Sequence, residues 1–515
     1  MSLLLPASRY SSRLTPPASD GFAGAGEAAL VLLVLVALAR AGWHRFVMPR
    51  YSAGFVTQSD EIEVDRLPVR GELPAWLSGT LVRNGPAKFE VGAQSYRHWF
   101  DGLSMLRRFT FSAGAVSYAN KYLQSRDYER STSQNRIAMA SFATDPCRSI
   151  FQRFLSVFSP NATDNANVNV AVLADRYVAM TETPMPIEFD PHTLETLGVF
   201  DYERDGLKVA TTTAHPHFDP WRGVLSYATR FSRTSEYVVY AVPRGQRRRE
   251  SLATLRVRKP AYMHSFGMTE RYVILVEFPL TVDPLRLAVS GRPFIENFAW
   301  EPERGARFHV IDKDRGSVRT HRGEAFFAFH HVNAFERGDD VIVDIAAYPD
   351  SGIIDALYLD RLRAGYPIPE AELRRYYLRP GEEAADYDRL IEDSFELPRI
   401  HDEQVGGGSY RYAYGVSTRR ETPGDFANQL LKVDVHERGV RRWAEEGCYV
   451  GEPVFVAAPG ASAEDEGVVL SVVLDADNDS AFLLVLDASS FAELARAEAP
   501  HRIPFGFHGA FFADD

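Results

Sequence analysis

Cysteine is scarce in this sequence of 515 residues, and several common catalytic motifs are missing. The two cysteines, Cys147 and Cys448, cannot form a disulfide framework and show no zinc-binding spacing, which favours a reducing, cytoplasmic setting. A net charge of -12 argues against a nucleic-acid partner, because such partners require clustered Lys and Arg. A glycine-rich phosphate loop, a Gly-x-Ser-x-Gly elbow and a His-Glu-x-x-His motif are all absent from the sequence. Nucleotide, serine-hydrolase and helical zinc-protease chemistry therefore have no visible site.

Long hydrophobic runs are also lacking, apart from AALVLLVLVALA at positions 28–39. This run is shorter than the roughly 20 residues that a bilayer-spanning helix needs. Residues 1–47 are therefore predicted to be an N-terminal extension. It is either the product of a mis-called start that precedes the true start at Met48, a hydrophobic anchor, or a signal peptide. Residues 48–515 are predicted to form a single domain.

Short β-branched and aromatic runs, separated by Gly, Pro, Asp and Asn, dominate from about position 51 onward and predict an all-β protein. A strand ending in Asp, a short turn and a second strand recur at Asp190, Asp312, Asp434 and Asp487. The separations of 122, 122 and 53 residues suggest a unit of about 50 to 60 residues, which is typical of propeller blades. The length then accommodates about seven blades, with a helical insertion predicted at 358–378.

Histidine is the informative residue type. His192, His309, His321, His401, His436 and His501 are predicted to lie at the surface. Four other histidine settings combine apolar and small residues: TTAHPHFD, AYMHSFGM, FFAFHHVNAF and FGFHGAFF. A buried imidazole requires partners for its nitrogens, and the innermost strands of different blades point at one axis. Such histidines could therefore converge on a metal, although a hydrogen-bonded core role is the alternative for each one alone.

A family resemblance rests on long motifs that occur in a fixed order. LSGTLVRNGPAKFEVG, YRHWFDGLSMLRRF, DPCRSIFQRF, AMTETP, TAHPHFD, MHSFGMTERYVILVEFP, FHHVNAFE, GEPVFV and the closing FHG resemble the carotenoid cleavage oxygenases. The resemblance covers position 51 to the C-terminus. It implies an all-β fold, a seven-bladed β-propeller with a dome of helices and loops over the axial face that holds iron.

The resemblance also implies the site. One iron(II) per chain would be bound by His215, His264, His330 and His508, and imidazole nitrogen is a suitable ligand for iron. His217 and His331 are the nearest alternatives, and strand alternation would turn His331 to the face opposite His330. Metal-bound imidazoles normally donate their second N–H to a carboxylate. By resemblance, Glu182, Glu396 and Glu452 would accept from His264, His330 and His508, in that order; surface glutamates are the alternative.

Residues 147–158, CRSIFQRFLSVF, combine large apolar side chains with Arg148 and Arg153. They match the family segment associated with membrane contact, and such a patch can rest in the headgroup layer and collect a lipophilic substrate. A core-facing helix is the alternative. The sequence therefore predicts a cytoplasmic protein that is peripherally associated with a membrane. It does not predict the oligomeric state.

The function implied is a non-haem iron(II) dioxygenase that adds both atoms of O2 across one conjugated C=C bond and releases aldehydes. DPCRSIFQRF, HSFGMTE and FHHVNAFE most resemble the animal-type, retinal-forming group, which suggests central cleavage of β-carotene to retinal. The alternatives are cleavage of an apocarotenoid or of a stilbene, and a non-oxidative retinoid isomerase. The lysine of stilbene-cleaving relatives falls near Asp127, which argues against that substrate. A propeller that only binds partners is the alternative from another class.

Overall fold

The computed structural model describes residues 48–145, 163–203 and 205–514. Pro49–Asp515 forms one compact unit. The predicted extension at 1–47 and the predicted membrane-contact segment at 147–158 lie outside the described residues. Within the described ranges, no helix combines the length and the apolar character needed to cross a bilayer.

Strands are the main secondary structure of the described chain. The first half contains β1 Glu63–Val64, β2 Val69–Gly71, β3 Gly79–Lys88, β4 Glu90–Val91, β5 Gln94–Ser95, β6 Leu103–Ser112, β7 Ala115–Tyr122, β8 Asn169–Leu173, β9 Arg176–Met180, β10 Ile187–Phe189, β11 Thr196–Val199, β12 Thr211–Thr212, β13 His217–Asp219, β14 Gly223–Arg230, β15 Ser235–Val242, β16 Glu250–Val257, β17 Gly267–Met268 and β18 Tyr272–Glu277. The second half contains β19 Leu280–Thr281, β20 Ala299–Trp300, β21 Ala306–Asp312, β22 Val318–Gly323, β23 His331–Arg337, β24 Asp340–Ala347, β25 Glu372–Leu378, β26 Asp386–Ser394, β27 Glu396–Arg399, β28 Tyr412–Ser417, β29 Gln429–Asp434, β30 Gly439–Trp443, β31 Cys448–Val450, β32 Val454–Ala457, β33 Gly467–Asp475, β34 Ser480–Asp487, β35 Glu493–Glu498 and β36 Gly509–Ala513.

Seven antiparallel sheets of four to six strands form the blades of a β-propeller, as the sequence predicts. From the inside outward, blade 2 is β8 to β11, blade 4 is β17, β18, β21 and β22, blade 5 is β23 to β26, and blade 6 is β27 to β30. In blade 3, β12 and β13 both pair with β14 on the inside, and β15 and β16 follow outward. Middle strands are buried on both faces, as in β34, whereas the outer strand β30 is largely exposed, because blades pack face to face.

The ring is closed by strands from both chain ends. In blade 1 the C-terminal β36 pairs inside β3, followed outward by β6, β7 and β1. Blade 7 is built from β31 and β32 inside, then β33, β34 and β35, with the N-terminal β2 outermost. Strands near both ends of the propeller chain are therefore fixed by main-chain hydrogen bonds within a blade.

The recurrent aspartates mark one position in the blades. Asp190, Asp312, Asp434 and Asp487 follow or end the third strand of blades 2, 4, 6 and 7, and each carboxylate accepts backbone N–H groups of the following turn. Two intervals of 122 residues correspond to two blades each and the interval of 53 to one. The spacing therefore reports the repeat, because the carboxylate stabilises the same tight turn each time.

Short helices occur in the connections between strands. They are α1 Arg126–Ser133, α2 Pro284–Val289, α3 Gly352–Ala356, α4 Leu359–Ala364 and α5 Asp402–Val405, with 3₁₀ helices at Arg50–Phe55, Trp99–Asp101, Ile295–Asn297 and Pro302–Arg304. Connections of this kind form the dome above the propeller axis. The helix predicted over 358–378 is wrong beyond α4. Gly365 ends α4 in the left-handed conformation with φ 75°, two prolines follow, and the remainder is β25 of blade 5.

Candidate metal site

The four histidines singled out in the sequence converge on the propeller axis. His264, His330 and His508 lie just before the innermost strands of blades 4, 5 and 1, and His215 lies between β12 and β13 of blade 3. One ring nitrogen from each of the four lies within 4.8 Å of the others. The Nε2 atoms of His215 and His264 are 2.9 Å apart, and those of His330 and His508 are 3.2 Å apart.

Three glutamates contact these rings on the far side. Glu182 Oε1 lies 2.7 Å from His264 Nδ1, and Glu396 Oε2 lies 2.6 Å from His330 Nδ1. Glu452 Oε1 lies 2.8 Å from His508 Nδ1. These are the three glutamate–histidine pairs that the family resemblance predicts. The glutamates come from blades 2, 6 and 7, so each of the seven blades supplies one residue to the cluster.

The donor set fits a divalent transition metal. A carboxylate can only accept a hydrogen bond, so the Nδ1 atoms of the three paired rings carry the proton and their Nε2 atoms carry lone pairs. The Nε2 lone pairs of His330 and His508 face one another at 3.2 Å, and they repel unless a cation neutralises them. Neutral imidazole nitrogen suits iron and also zinc, copper and nickel, so the four rings are suitable ligands for a divalent transition metal.

His215 differs from the other three histidines. Its side chain is only half-buried, and no carboxylate contacts it within the described part of the chain. Burial, followed by the neighbouring His508, His264 and His330, lowers the pKa of His215 well below its usual range. Burial also lowers the pKa of His508 to about 4, against the opposing effect of Glu452. Both rings are neutral at pH 7 and free to act as ligands.

Glu452 is surrounded by positive charge. Its carboxylate accepts hydrogen bonds from Arg83 and from the N–H of Gly509, and Arg399 Nε lies 3.4 Å from its Oε1. Burial raises the pKa of this carboxyl, but Arg399, His508 and Arg83 together lower it by more than burial raises it. The net shift of the pKa is downward. Glu452 is therefore held ionised while fully buried.

The other two glutamates are accompanied by tyrosines instead. The Tyr262 hydroxyl donates to Glu182 Oε1 at 2.8 Å, and Tyr348 lies beside Glu396. Burial raises the pKa of Glu396, while His330, the Leu397 N–H and Tyr348 lower it, so the net shift is downward. Tyrosine stabilises a carboxylate without adding a formal charge.

Sequence reasoning missed these arginines and tyrosines. A usable signal existed for Tyr262, which lies two residues before His264 and so tends to share its face in an extended segment. Arg83 lies within the LVRNGP motif, but nothing in its spacing indicates Glu452 as its partner. The predictions for His309 and His321 were wrong, because both are buried in blade 4, where His309 contacts Glu277 and Thr320.

An apolar cavity under the dome reaches the cluster. It is lined by His264, His330 and His508 and by aromatic and aliphatic side chains that include Trp99, Phe100, Phe329, Phe426 and Phe507. Several of these rings contact one another edge to face, for example Phe100 and Phe507 at 5.2 Å between centroids. A rigid aromatic wall of this kind suits an apolar, unsaturated ligand.

A second, more polar cavity also reaches the cluster. It is lined by His215, His330 and His508, and by His217 and His331. The structure therefore brings the two alternative histidines of the HPH and HH motifs close to the cluster but not into it: within the described ranges, only the four named rings form the converging set.

Known proteins match this chain over most of its length. The family model described as retinal pigment epithelial membrane protein matches residues 55–513. A mitochondrial carotenoid-cleaving dioxygenase from Macaca fascicularis is 36% identical over 510 residues, 86% of this chain and 91% of the relative. The beta,beta-carotene 15,15'-dioxygenase from Homo sapiens is 33% identical over 522 residues, 89% of this chain and 94% of the relative. Two solved structures of Synechocystis apocarotenoid oxygenase, a variant and a cobalt-substituted form, superpose with TM-scores of 0.82 and 0.80 at 26% identity, and cover 90% of this chain and 98% of theirs.

Proposed function

The chain belongs to the carotenoid cleavage oxygenase family, and from this membership we propose that it is a non-haem iron(II) dioxygenase that cleaves one conjugated C=C bond of a carotenoid with O2. Central cleavage of β-carotene to two molecules of retinal is the reaction we favour. The observation that carries the proposal is the convergence of four imidazole nitrogens, three of them backed by carboxylates, at the wall of an aromatic cavity.

His215, His264, His330 and His508 would hold the iron, with Glu182, Glu396 and Glu452 orienting three of the rings. A structural relative has been solved in a cobalt-substituted form, which supports metal binding by a protein of this fold. When bound, ferrous iron supplies the activation of O2, and both oxygen atoms end in the two carbonyl products. The protein's part is to fix the ligand geometry and to exclude competing reactions.

The aromatic cavity would position the polyene. Trp99, Phe100 and Phe507 give it a rigid apolar wall, and the cavity reaches three of the four ligand rings. A chain held in this way presents one double bond to the site, so the depth of the cavity selects the bond. Cleavage of an apocarotenoid is the second candidate, because two solved structures of one apocarotenoid oxygenase share the fold over 90% of this chain.

Peripheral membrane association through residues 147–158 remains a prediction, because that segment lies outside the described residues. A lipophilic carotenoid has to leave a membrane to reach a cavity, and an apolar, basic-flanked segment suits that transfer. A vesicle sedimentation assay with and without substitutions at Arg148 and Arg153 tests it.

The site proposal is tested by replacing each ligand in turn. His215→Ala, His264→Ala, His330→Ala and His508→Ala should each lose bound iron and turnover of β-carotene, because each removes one of four donors. His331→Asn is the matched control, since it removes a neighbouring imidazole that is not among the four. Iron content and aldehyde formation are measured together. Full iron content in two or more of the ligand variants would contradict the assignment.

A further inference from the structure

The second cavity contains the two histidines that the metal cluster does not use. His217 and His331 follow the ligands His215 and His330 in the HPH and HH motifs, and both line the same cavity. Three of its lining residues, His215, His330 and His508, belong to the cluster itself, so the cavity leads directly to it.

The hydrogen bonds of His331 fix the position of its proton. The Ser265 hydroxyl donates to the Phe329 carbonyl at 2.7 Å, and its oxygen lies 2.9 Å from His331 Nδ1. Since the hydroxyl has one hydrogen, the bond between Ser265 and His331 has to be donated by Nδ1. The Nε2 atom of His331 therefore carries a lone pair, and this buried atom has no hydrogen-bond partner among the described residues.

His217 is fixed in the opposite tautomer. Its Nε2 lies 2.9 Å from the carbonyl oxygen of Phe266, which can only accept, so Nε2 carries the proton and Nδ1 carries the lone pair. The two rings, which both line the same cavity, thus carry one unprotonated nitrogen each. Neither belongs to the converging set of the described chain, so they do not form a second closed metal site.

The charges lining this cavity also favour a cation. Exposed Glu270, Asp402 and Glu403 line it and form no ion pair within the described part of the protein. The two cationic side chains in the lining are neutralised: Lys313 Nζ lies 2.6 Å from Asp219, and Arg399 contacts Glu452. The lining of the apolar cavity offers few ligands away from the cluster, and a divalent ion would lose its hydration shell there at a high cost in free energy.

We propose that the second cavity is the route by which a divalent metal ion reaches the four-histidine cluster, with His217 and His331 as transient ligands along it. The inference rests on the proposed metal-binding function of the cluster. Each imidazole replaces part of the hydration shell as the ion advances, and the carboxylates raise the local cation concentration. Substrate and metal then use separate cavities that meet at the ligands.

The test compares metal uptake by the metal-free full chain and by variants that retain the structural hydrogen bonds. His331→Asn places an amide nitrogen where Nδ1 donates to Ser265, and His217→Gln places one where Nε2 donates to Phe266. The double variant removes both unprotonated imidazole nitrogens. His192→Gln, in an exposed turn, is the matched control. Binding of Co²⁺ is followed by its visible absorption after rapid mixing, and affinity is measured by titration.

The double variant should bind Co²⁺ more slowly than the wild type, because the ion loses two nitrogen ligands along the route while the charge of the cavity is unchanged. Its final metal content and its dissociation constant should match those of the wild type, and His192→Gln should match it in rate as well. An unchanged uptake rate would overturn the loading route, and a parallel loss of affinity would make the two histidines equilibrium ligands instead. If the wild type itself binds no Co²⁺, the proposed function fails and not the route alone.

Discussion

Glu452 and Glu182 occupy equivalent positions behind two ligand rings, yet their surroundings differ sharply. Glu452 is 1% exposed and contacts Arg83 and Arg399, whereas Glu182 is 19% exposed and is contacted by the Tyr262 hydroxyl. The charge of Glu452 is shared between an imidazole and two guanidinium groups. The charge of Glu182 interacts mainly with His264, since its other contact is the uncharged Tyr262 hydroxyl. Three carboxylates that look alike in the sequence therefore divide into one that also stabilises the blade junction and others that chiefly serve the ligand.

The largest effect is expected from Glu452→Gln. Removing the carboxylate leaves the buried Arg83 without its ionic partner, and breaking a buried pair in this way costs about 3–5 kcal/mol in the free energy of unfolding. Denaturant unfolding of the metal-free protein measures it. Glu182→Gln leaves no buried arginine without an ionic partner, so its free energy of unfolding should fall far less. Equal losses in the two variants would remove the distinction between the two glutamates.

Glu182→Gln should act on the metal instead. Loss of a carboxylate behind a ligand ring lowers metal affinity by about 10 to 100-fold. Because Glu452 shares its charge with arginines, Glu182→Gln should lower the affinity for Co²⁺ more than Glu452→Gln does. Titrations of the two folded variants provide the comparison. A larger loss in Glu452→Gln would mean that the arginines do not weaken its effect on His508.

A smaller effect is expected in the dependence of stability on pH. The pKa of Glu452 in the folded protein lies below its ordinary value of 4.5, so its contribution to stability is present above pH 4.5 and is lost as the pH falls through the folded pKa. The wild type should therefore lose stability more steeply than Glu452→Gln between about pH 5 and pH 3. Parallel curves for the metal-free proteins would show that Glu452 is not held ionised by folding.

The smallest effect is expected from Tyr262→Phe. The variant removes one hydrogen bond to Glu182 and leaves the ring in place, which should cost about 1 kcal/mol of stability. Thermal unfolding measures this loss, and a Co²⁺ titration should show a smaller change in affinity than Glu182→Gln produces. A change as large as that of the glutamate variant would mean that Tyr262 sets the position of the carboxylate.

Local patterns explain what the sequence could predict. The aspartates at 190, 312, 434 and 487 report the blade period because each stabilises a turn within its own blade. The four histidines and three glutamates lie in long ordered motifs, so resemblance alone identified the residues that the fold brings together.

Long-range contacts explain most of what the sequence did not predict. Arg399 reaches Glu452 across blades 6 and 7, and no local pattern records such a contact. His309 was predicted to lie at the surface, but it lies between Phe308 and Val310 in β21, which is a buried third strand. The segment after α4 contains residue types that favour a helix. Two prolines end the helix, and pairing with β24 makes the rest of the segment a strand.

The most direct test of the proposed activity is incubation of the iron(II)-loaded protein with β-carotene under isotopically labelled dioxygen, followed by reduction of the products to alcohols and mass analysis. Retinol is expected as the sole trapped product, with one labelled oxygen in each molecule. Longer labelled alcohols would move the cleaved bond but keep the dioxygenase. Unlabelled products, or no consumption of oxygen with β-carotene and with apocarotenoids, would contradict the central claim.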